Sequence, residues 1–116
     1  MLVVDDQAVF RGVASEVVRA TPGMTLVGDA ASGEEAIAAV EALSPRLVIM
    51  DKRMPGIGGI EGARVIRARY PEVVVVIVSV EQPSAEVLEA SGAVAFLPKR
   101  ELSPRVLAKL WATYGV

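Results

Sequence analysis

The ten residues LVIMDKRMPG, from Leu47 to Gly56, decide how the rest of the chain is read. Four consecutive apolar residues, Leu47 to Met50, read as a buried strand, and Asp51 takes its last position. Pro55 fixes its own φ and Gly56 admits backbone geometries closed to other residues, so the chain turns away directly after the acid. A short apolar strand that ends in a carboxylate at a tight turn holds that carboxylate rigidly at the edge of a sheet. Aspartate is also common in turns for purely local reasons. Asp51 therefore gains meaning only from what stands at the other strand ends.

Towards the N-terminus, Leu2 to Val4 reads as a short buried strand running into Asp5 and Asp6. Gln7 to Ala20 reads as a helix, with Phe10, Val13, Ala14 and Val17 at helical spacing, stopped by Pro22 and Gly23. Thr25 to Val27 is a second strand, and Ser32-Gly33-Glu34-Glu35 is a capping-box start for a helix through Leu43, ended by Ser44 and Pro45. Beyond the quoted stretch, Gly58 and Gly59 open a helix that runs to Tyr70, where Pro71 closes it. Val73 to Val78 is the longest apolar run, bounded by Glu72 and Ser79; a Val- and Ile-rich segment of this kind suits a central parallel strand buried on both faces. Ser84 caps a short fourth helix through Ser91, with Gly92 after it. Val94 to Leu97 is a fifth strand that leads to Pro98 and Lys99. Ser103 and Pro104 then supply the N-cap and first position of a last helix, whose Leu107, Leu110, Trp111 and Tyr114 share a face. No repeat, low-complexity tract or linker interrupts the 116 residues, which make one domain, 1–116.

Five strands alternating with five helices predict an α/β, doubly wound, five-stranded parallel sheet covered on both faces and joined by right-handed crossovers. The expected strand order is 2-1-3-4-5, with a ligand site at the carboxyl ends beside strands 1 and 3. Asp5 and Asp6, Asp51, Ser79 and Lys99 then project from one edge, at the ends of strands 1, 3, 4 and 5.

Composition narrows the chemistry. Histidine and cysteine are both absent, which excludes imidazole mechanisms, thiolate metal sites and disulfides, so any metal must be a hard cation on oxygen ligands. Twelve basic and fourteen acidic residues leave a net charge of −2 without a basic block, which argues against nucleic-acid binding by this domain. No apolar run approaches the roughly 18 residues of a membrane span, and the chain reads as cytoplasmic. Three carboxylates in one crevice repel, and a divalent cation relieves the repulsion; Mg²⁺ (or Mn²⁺) suits a few carboxylates, several waters and a phosphate. Lys99 adds a mobile point charge for a phosphate oxygen and Ser79 a hydroxyl donor, so Asp51 could act as a nucleophile and become an acyl phosphate. Each residue has a local alternative: Asp5 as a helix N-cap, Asp6 as an acid favoured at a helix start, Ser79 and Lys99 as ordinary surface groups.

With these residues in place, the chain resembles the receiver domain of two-component response regulators, particularly the NarL/FixJ class. The segments that carry the likeness are Val3 to Asp6, Gly33 to Ala36, Met50 to Gly56 with Gly59, Ser79, and Phe96 to Lys99. The resemblance implies that Asp51 accepts a phosphoryl group from a phosphohistidine on a sensor histidine kinase or phosphotransfer protein. It implies Mg²⁺ held by Asp6 and Asp51, by Asp5 through water and by the Arg53 backbone carbonyl, with Lys99 on the phosphoryl group. Ser79 and Phe96 would form a hydroxyl-and-aromatic switch acting by population shift. The output face, and a possible homodimer surface, would be helix 4, strand 5 and helix 5. A NarL-type regulator would continue past Val116 into a DNA-binding effector, so two expectations stay open: a single-domain regulator or, as the class favours, the N-terminal part of a longer regulator controlling transcription.

Lys52 stands where the family has an apolar residue, which brings a second cation towards the site, and bulky Val80 follows Ser79 where a small residue is usual. Pro98 precedes Lys99, Arg100 replaces a proline after it, and the segment from Ser79 to Lys99 is short, consistent with a truncated fourth helix. Arg53 and Glu81, each two residues past a site residue, are expected to pair across the crevice mouth and, with Val80, to hinder hydrolysis. A Mg²⁺-dependent aspartyl-phosphate phosphohydrolase would want an acid where Arg53 stands. A flavodoxin-like cofactor binder would not place Asp5 and Asp6 in its phosphate loop. The third alternative is a receiver-like binding module that works without phosphorylation.

Overall fold

In the computed structural model, which describes residues 1–115, strands and helices alternate along the whole chain. They are β1 (Leu2–Val4), α1 (Ala8–Arg19), β2 (Gly28–Ala30), α2 (Gly33–Leu43), β3 (Leu47–Asp51), α3 (Gly58–Arg69), β4 (Val74–Ser79), α4 (Ala85–Ser91), β5 (Ala95–Pro98) and α5 (Pro104–Tyr114). A single turn of 3-10 helix, Lys99–Glu101, links β5 to α5. The strands form one parallel sheet in the order β2-β1-β3-β4-β5, as the alternation predicts.

The pleat sorts the core into two layers, because successive strand side chains leave opposite faces. Leu2, Val4, Val48, Met50, Val75 and Ile77 meet Ala36 and Val40 of α2 and Ala63 and Ile66 of α3, with Leu88 of α4 at the margin. Val3, Leu47, Ile49, Val76, Val78 and Leu97 meet Ala14 and Val18 of α1 and Leu107 of α5. Full burial of side chains such as Leu2, Ile49 and Ile77 contributes about 1.5–3 kcal/mol each. The caps read from sequence are present: the Ser32, Ser84 and Ser103 hydroxyls accept from the N–H groups of Glu35, Val87 and Val106. The reciprocal arm of the α2 capping box reaches one residue further back, with Glu35 Oε1 accepting from Ala31 N–H at 3.4 Å. α4 is short as expected, seven residues ended by Gly92 at φ 73°.

Three local readings shift. β2 forms at Gly28–Ala30 rather than Thr25–Val27. An edge strand lies where its neighbour offers a ladder, and Leu2 pairs with Gly28, while Val27 N–H donates to the Met1 carbonyl as the approach to that ladder. Of the expected α1 stripe, Ala14 is buried and Phe10 and Val17 pack against the core, but Val13 is exposed and Val18 takes its place on the sheet. Valine spacing alone could not tell the sheet-facing stripe from its neighbour, one residue round the helix. On α5, Leu107 is buried and Leu110 and Trp111 are half-buried, while Tyr114, one turn later, is exposed.

Candidate functional site: an acidic crevice at the strand ends

The carboxyl ends of β1, β3, β4 and β5 meet at a crevice of about 330 Å³ lined by Asp6, Asp51, Arg53, Ser79, Glu81 and Lys99, with Gln7 and Val80 at its rim. Asp5, Asp6 and Asp51 each bring a carboxylate oxygen within 4.8 Å of the other two. Asp5 and Asp51 are buried and Asp6 is exposed. Position along the pleat explains the division of labour. Asp51 continues the alternation of Leu47 and Ile49, and Lys99 that of Leu97, so both emerge on the α1/α5 side. Ser79 follows Val75 and Ile77 and approaches from the other side, the face on which half-buried Phe96 packs.

Asp5 Oδ1 accepts from the Gln7 N–H at 2.8 Å, which fixes the carboxylate against the start of α1. Asp5 is not the cap of α1, which starts after Gln7; its bond closes an Asx-turn just ahead of the helix. Its second oxygen has another task. Asp5 Oδ2 is buried and makes no hydrogen bond of good geometry among the described residues; Lys99 Nζ lies 2.9 Å away. Lys99 Nζ also reaches Asp51 Oδ1 at 3.4 Å. Burial alone would lower the lysine pKa, but the close Asp5 contact and the charges of Asp51 and Asp5 outweigh it and hold the ammonium above its usual range. Asp51 is pushed up to about 6 by burial and by the Asp5 charge, with Lys99 only partly offsetting them. A metal-free crevice therefore carries more negative charge than one lysine neutralises. Three hard oxygen donors, one of them buried and without a good hydrogen bond, fit a hard divalent cation.

Arg53 Nη2 and Glu81 Oε2 meet at 3.1 Å, so the expected pair across the mouth is present. The Ser79 hydroxyl accepts from the Glu81 N–H at 3.3 Å, which ties the hydroxyl to the same rim, and Val80 beside it is exposed. Lys52 is not among the residues lining the crevice, contrary to the expected second cation; one step along the pleat carries it away from Asp51. Two residues that sequence reading did not assign to the site also belong to it. Phe10 places its ring face 4.4 Å from Lys99 Nζ. Arg11 Nη1 donates to the Asp5 carbonyl at 2.7 Å and Arg11 Nε lies 3.7 Å from Asp29 Oδ2, tying β1 to β2 behind the acids. Their position in the first turn after Asp5 and Asp6 is the only sequence signal that could have found them.

Comparisons with known proteins point one way. A family model described as the response regulator receiver domain matches residues 1–110. The chain is 34% identical to a protein-glutamate methylesterase/protein-glutamine glutaminase of Pyrococcus abyssi, over 95% of this chain and 33% of the relative. It is 39% identical to the response regulator GacA of Pseudomonas protegens, over 85% of this chain and 47% of that protein. It thus spans between a third and a half of the length of these relatives. Among solved structures, the response regulator domain of Thermotoga maritima CheB superposes with a TM-score of 0.85 at 34% identity, covering 99% of this chain and 95% of that one.

Proposed function

The chain belongs to the response regulator receiver domain family of two-component signalling, and from that premise we propose that Asp51 is its phosphoacceptor. The observation that carries this reading is the convergence of three carboxylates and Lys99 in one crevice, with Asp51 buried among them. An Asp51 carboxylate oxygen forms the bond to phosphorus while the phosphorus–nitrogen bond of a phosphohistidine on a sensor histidine kinase or phosphotransfer protein breaks. The electron pair of that bond leaves with the imidazole. Asp6 and Asp51 would hold Mg²⁺ directly, Asp5 through water, and Arg53 through its backbone carbonyl. The ion supplies charge neutralisation that lets a phosphoryl group enter an acidic site. Lys99 is within reach to pair with a phosphoryl oxygen once drawn off Asp5 and Asp51, and its flexible stem permits the move.

Ser79 stands at the rim to donate its hydroxyl to the phosphoryl group, and Phe96, two residues back from the Pro98 that pairs with Ser79, would respond by turning inward. The population of that arrangement rises because the phosphoryl group bonds it better. The surface this reading assigns to output is α4, β5 and α5, for a protein partner or a second copy. No helix among the described residues is long and apolar enough to cross a membrane.

The test is the intact mass of the protein after incubation with acetyl phosphate and Mg²⁺. One phosphoryl adduct is expected, lost with EDTA and lost in Asp51→Ala. No adduct from folded protein that binds Mg²⁺ would replace this reading with a binding module that acts without phosphorylation.

A further inference from the structure

The Lys99 ammonium rests on more than its two carboxylates. The ring face of Phe10 lies 4.4 Å from Nζ, and the lysine side chain is only 14% exposed, so the ring replaces water on one side of the charge. A cation over an aromatic face is held by the ring quadrupole, more strongly when desolvated. The ring is itself fixed: Phe10 packs against the core layer that contains Val3, Ile49 and Leu97. Because Asp5 Oδ1 is bound to the Gln7 N–H at the start of the same helix, ring and carboxylate hold a constant separation. An aromatic ring also differs from a third carboxylate in that it attracts the ammonium without adding net charge that would equally attract a metal ion.

We propose that Phe10 is a positioning residue whose ring seats Lys99 over Asp5 and so sets how strongly the lysine competes with a divalent cation for the acidic crevice. An ammonium 2.9 Å from Asp5 Oδ2 and 3.4 Å from Asp51 Oδ1 repels a cation entering between the same oxygens. Whatever strengthens the seat weakens the metal. The side chain of Phe10 touches neither phosphoryl group nor metal in this scheme; it acts through Lys99 alone. The inference rests on the reading of Asp5, Asp6 and Asp51 as the metal-binding carboxylates.

The experiment is a Mg²⁺ titration, read by calorimetry or amide chemical shifts, on the whole chain without phosphodonor. Phe10→Leu and Phe10→Met, which keep an apolar side chain and lose the ring, should bind Mg²⁺ roughly two- to fivefold tighter than the unaltered protein, the size expected of a cation–ring contact. Phe10→Tyr, which keeps the ring, should bind as the unaltered protein does. In a Lys99→Met background the ring should make no difference. Unchanged or weaker binding in both ring-free variants overturns the proposal, as does an equal gain with and without Lys99. Failure of the unaltered protein to bind Mg²⁺, or binding that survives Asp51→Asn and Asp6→Asn, would instead overturn the metal-site reading itself.

Discussion

Arg53 and Glu81 close over the crevice with 74% and 69% of their side chains in solvent, so their contact adds only about 0–1 kcal/mol to stability. Its effect is on access. The pair and Val80 line the crevice mouth, so on the reading of Asp51 as phosphoacceptor they hinder the water that would hydrolyse it. Glu81→Ala and Arg53→Ala should each shorten the lifetime of the phosphorylated protein roughly two- to fivefold, as loss of a contact of this strength allows. The double variant should be no faster than the faster single one. Phosphate release after removal of the phosphodonor measures it; independent, additive effects would show that Arg53 and Glu81 do not act as a pair. Phe10 and Arg11 make the complementary point from behind the acids. Neither carries chemistry, yet one seats the lysine and the other holds the backbone from which Asp5 projects.

At the scale of elements, the junction between β3 and α3 positions Asp51. Gly59 N–H donates to the Lys52 carbonyl at 3.0 Å, and a Cβ on Gly59 would lie 1.8 Å from the Asp51 carbonyl oxygen. Only a residue without a side chain lets α3 begin so close to the strand end, and Gly58 at φ 76° supplies the turn before it. Gly59→Ala must push α3 off β3, which should destabilise the protein by about 1–3 kcal/mol and slow labelling of Asp51 by acetyl phosphate. Urea unfolding and labelling rate check the two effects; an unchanged midpoint would show that the helix yields without strain. Gly58-Gly59 was visible as a helix start from sequence, but the reason for the second glycine, a backbone oxygen in the way, exists only after folding. The shift of β2 has the same origin. Local apolarity pointed to Thr25–Val27, whereas a ladder partner on β1 chose Gly28–Ala30.

For the whole molecule, the crevice is a stability cost. Burial and the Asp5 charge push the Asp51 carboxyl up to about 6 in the fold, against an ordinary value of 3.8. Below about pH 4 both folded and unfolded forms carry the proton and the shift costs nothing. Between about pH 4 and 6 the folded form alone retains it, so stability falls as pH rises, and above 6 the full penalty remains. Asp51→Asn should therefore raise metal-free stability at pH 7 by up to about 3 kcal/mol, a gain that fades as pH drops from 6 to 4. Thermal unfolding in EDTA at several pH values tests this; a pH-independent gain would assign it to something other than ionisation. Saturating Mg²⁺ should narrow the difference, since it stabilises the protein that binds it.

Much of this was legible before folding. Element order, the doubly wound parallel sheet and the polar strand ends follow from periodicity, caps and apolar runs, because a buried parallel strand and a capped helix each impose a local pattern on the chain. The amino-acid sequence by itself thus determined the fold, the family and the identity of Asp5, Asp6, Asp51, Ser79 and Lys99 as one edge. Folding settled that Val18 rather than Val13 lies on the sheet, where β2 pairs, that Lys52 lies off the crevice, and that Phe10 sits under Lys99. These are distances between segments far apart in sequence. They are set by packing and ladder register, which no single segment encodes.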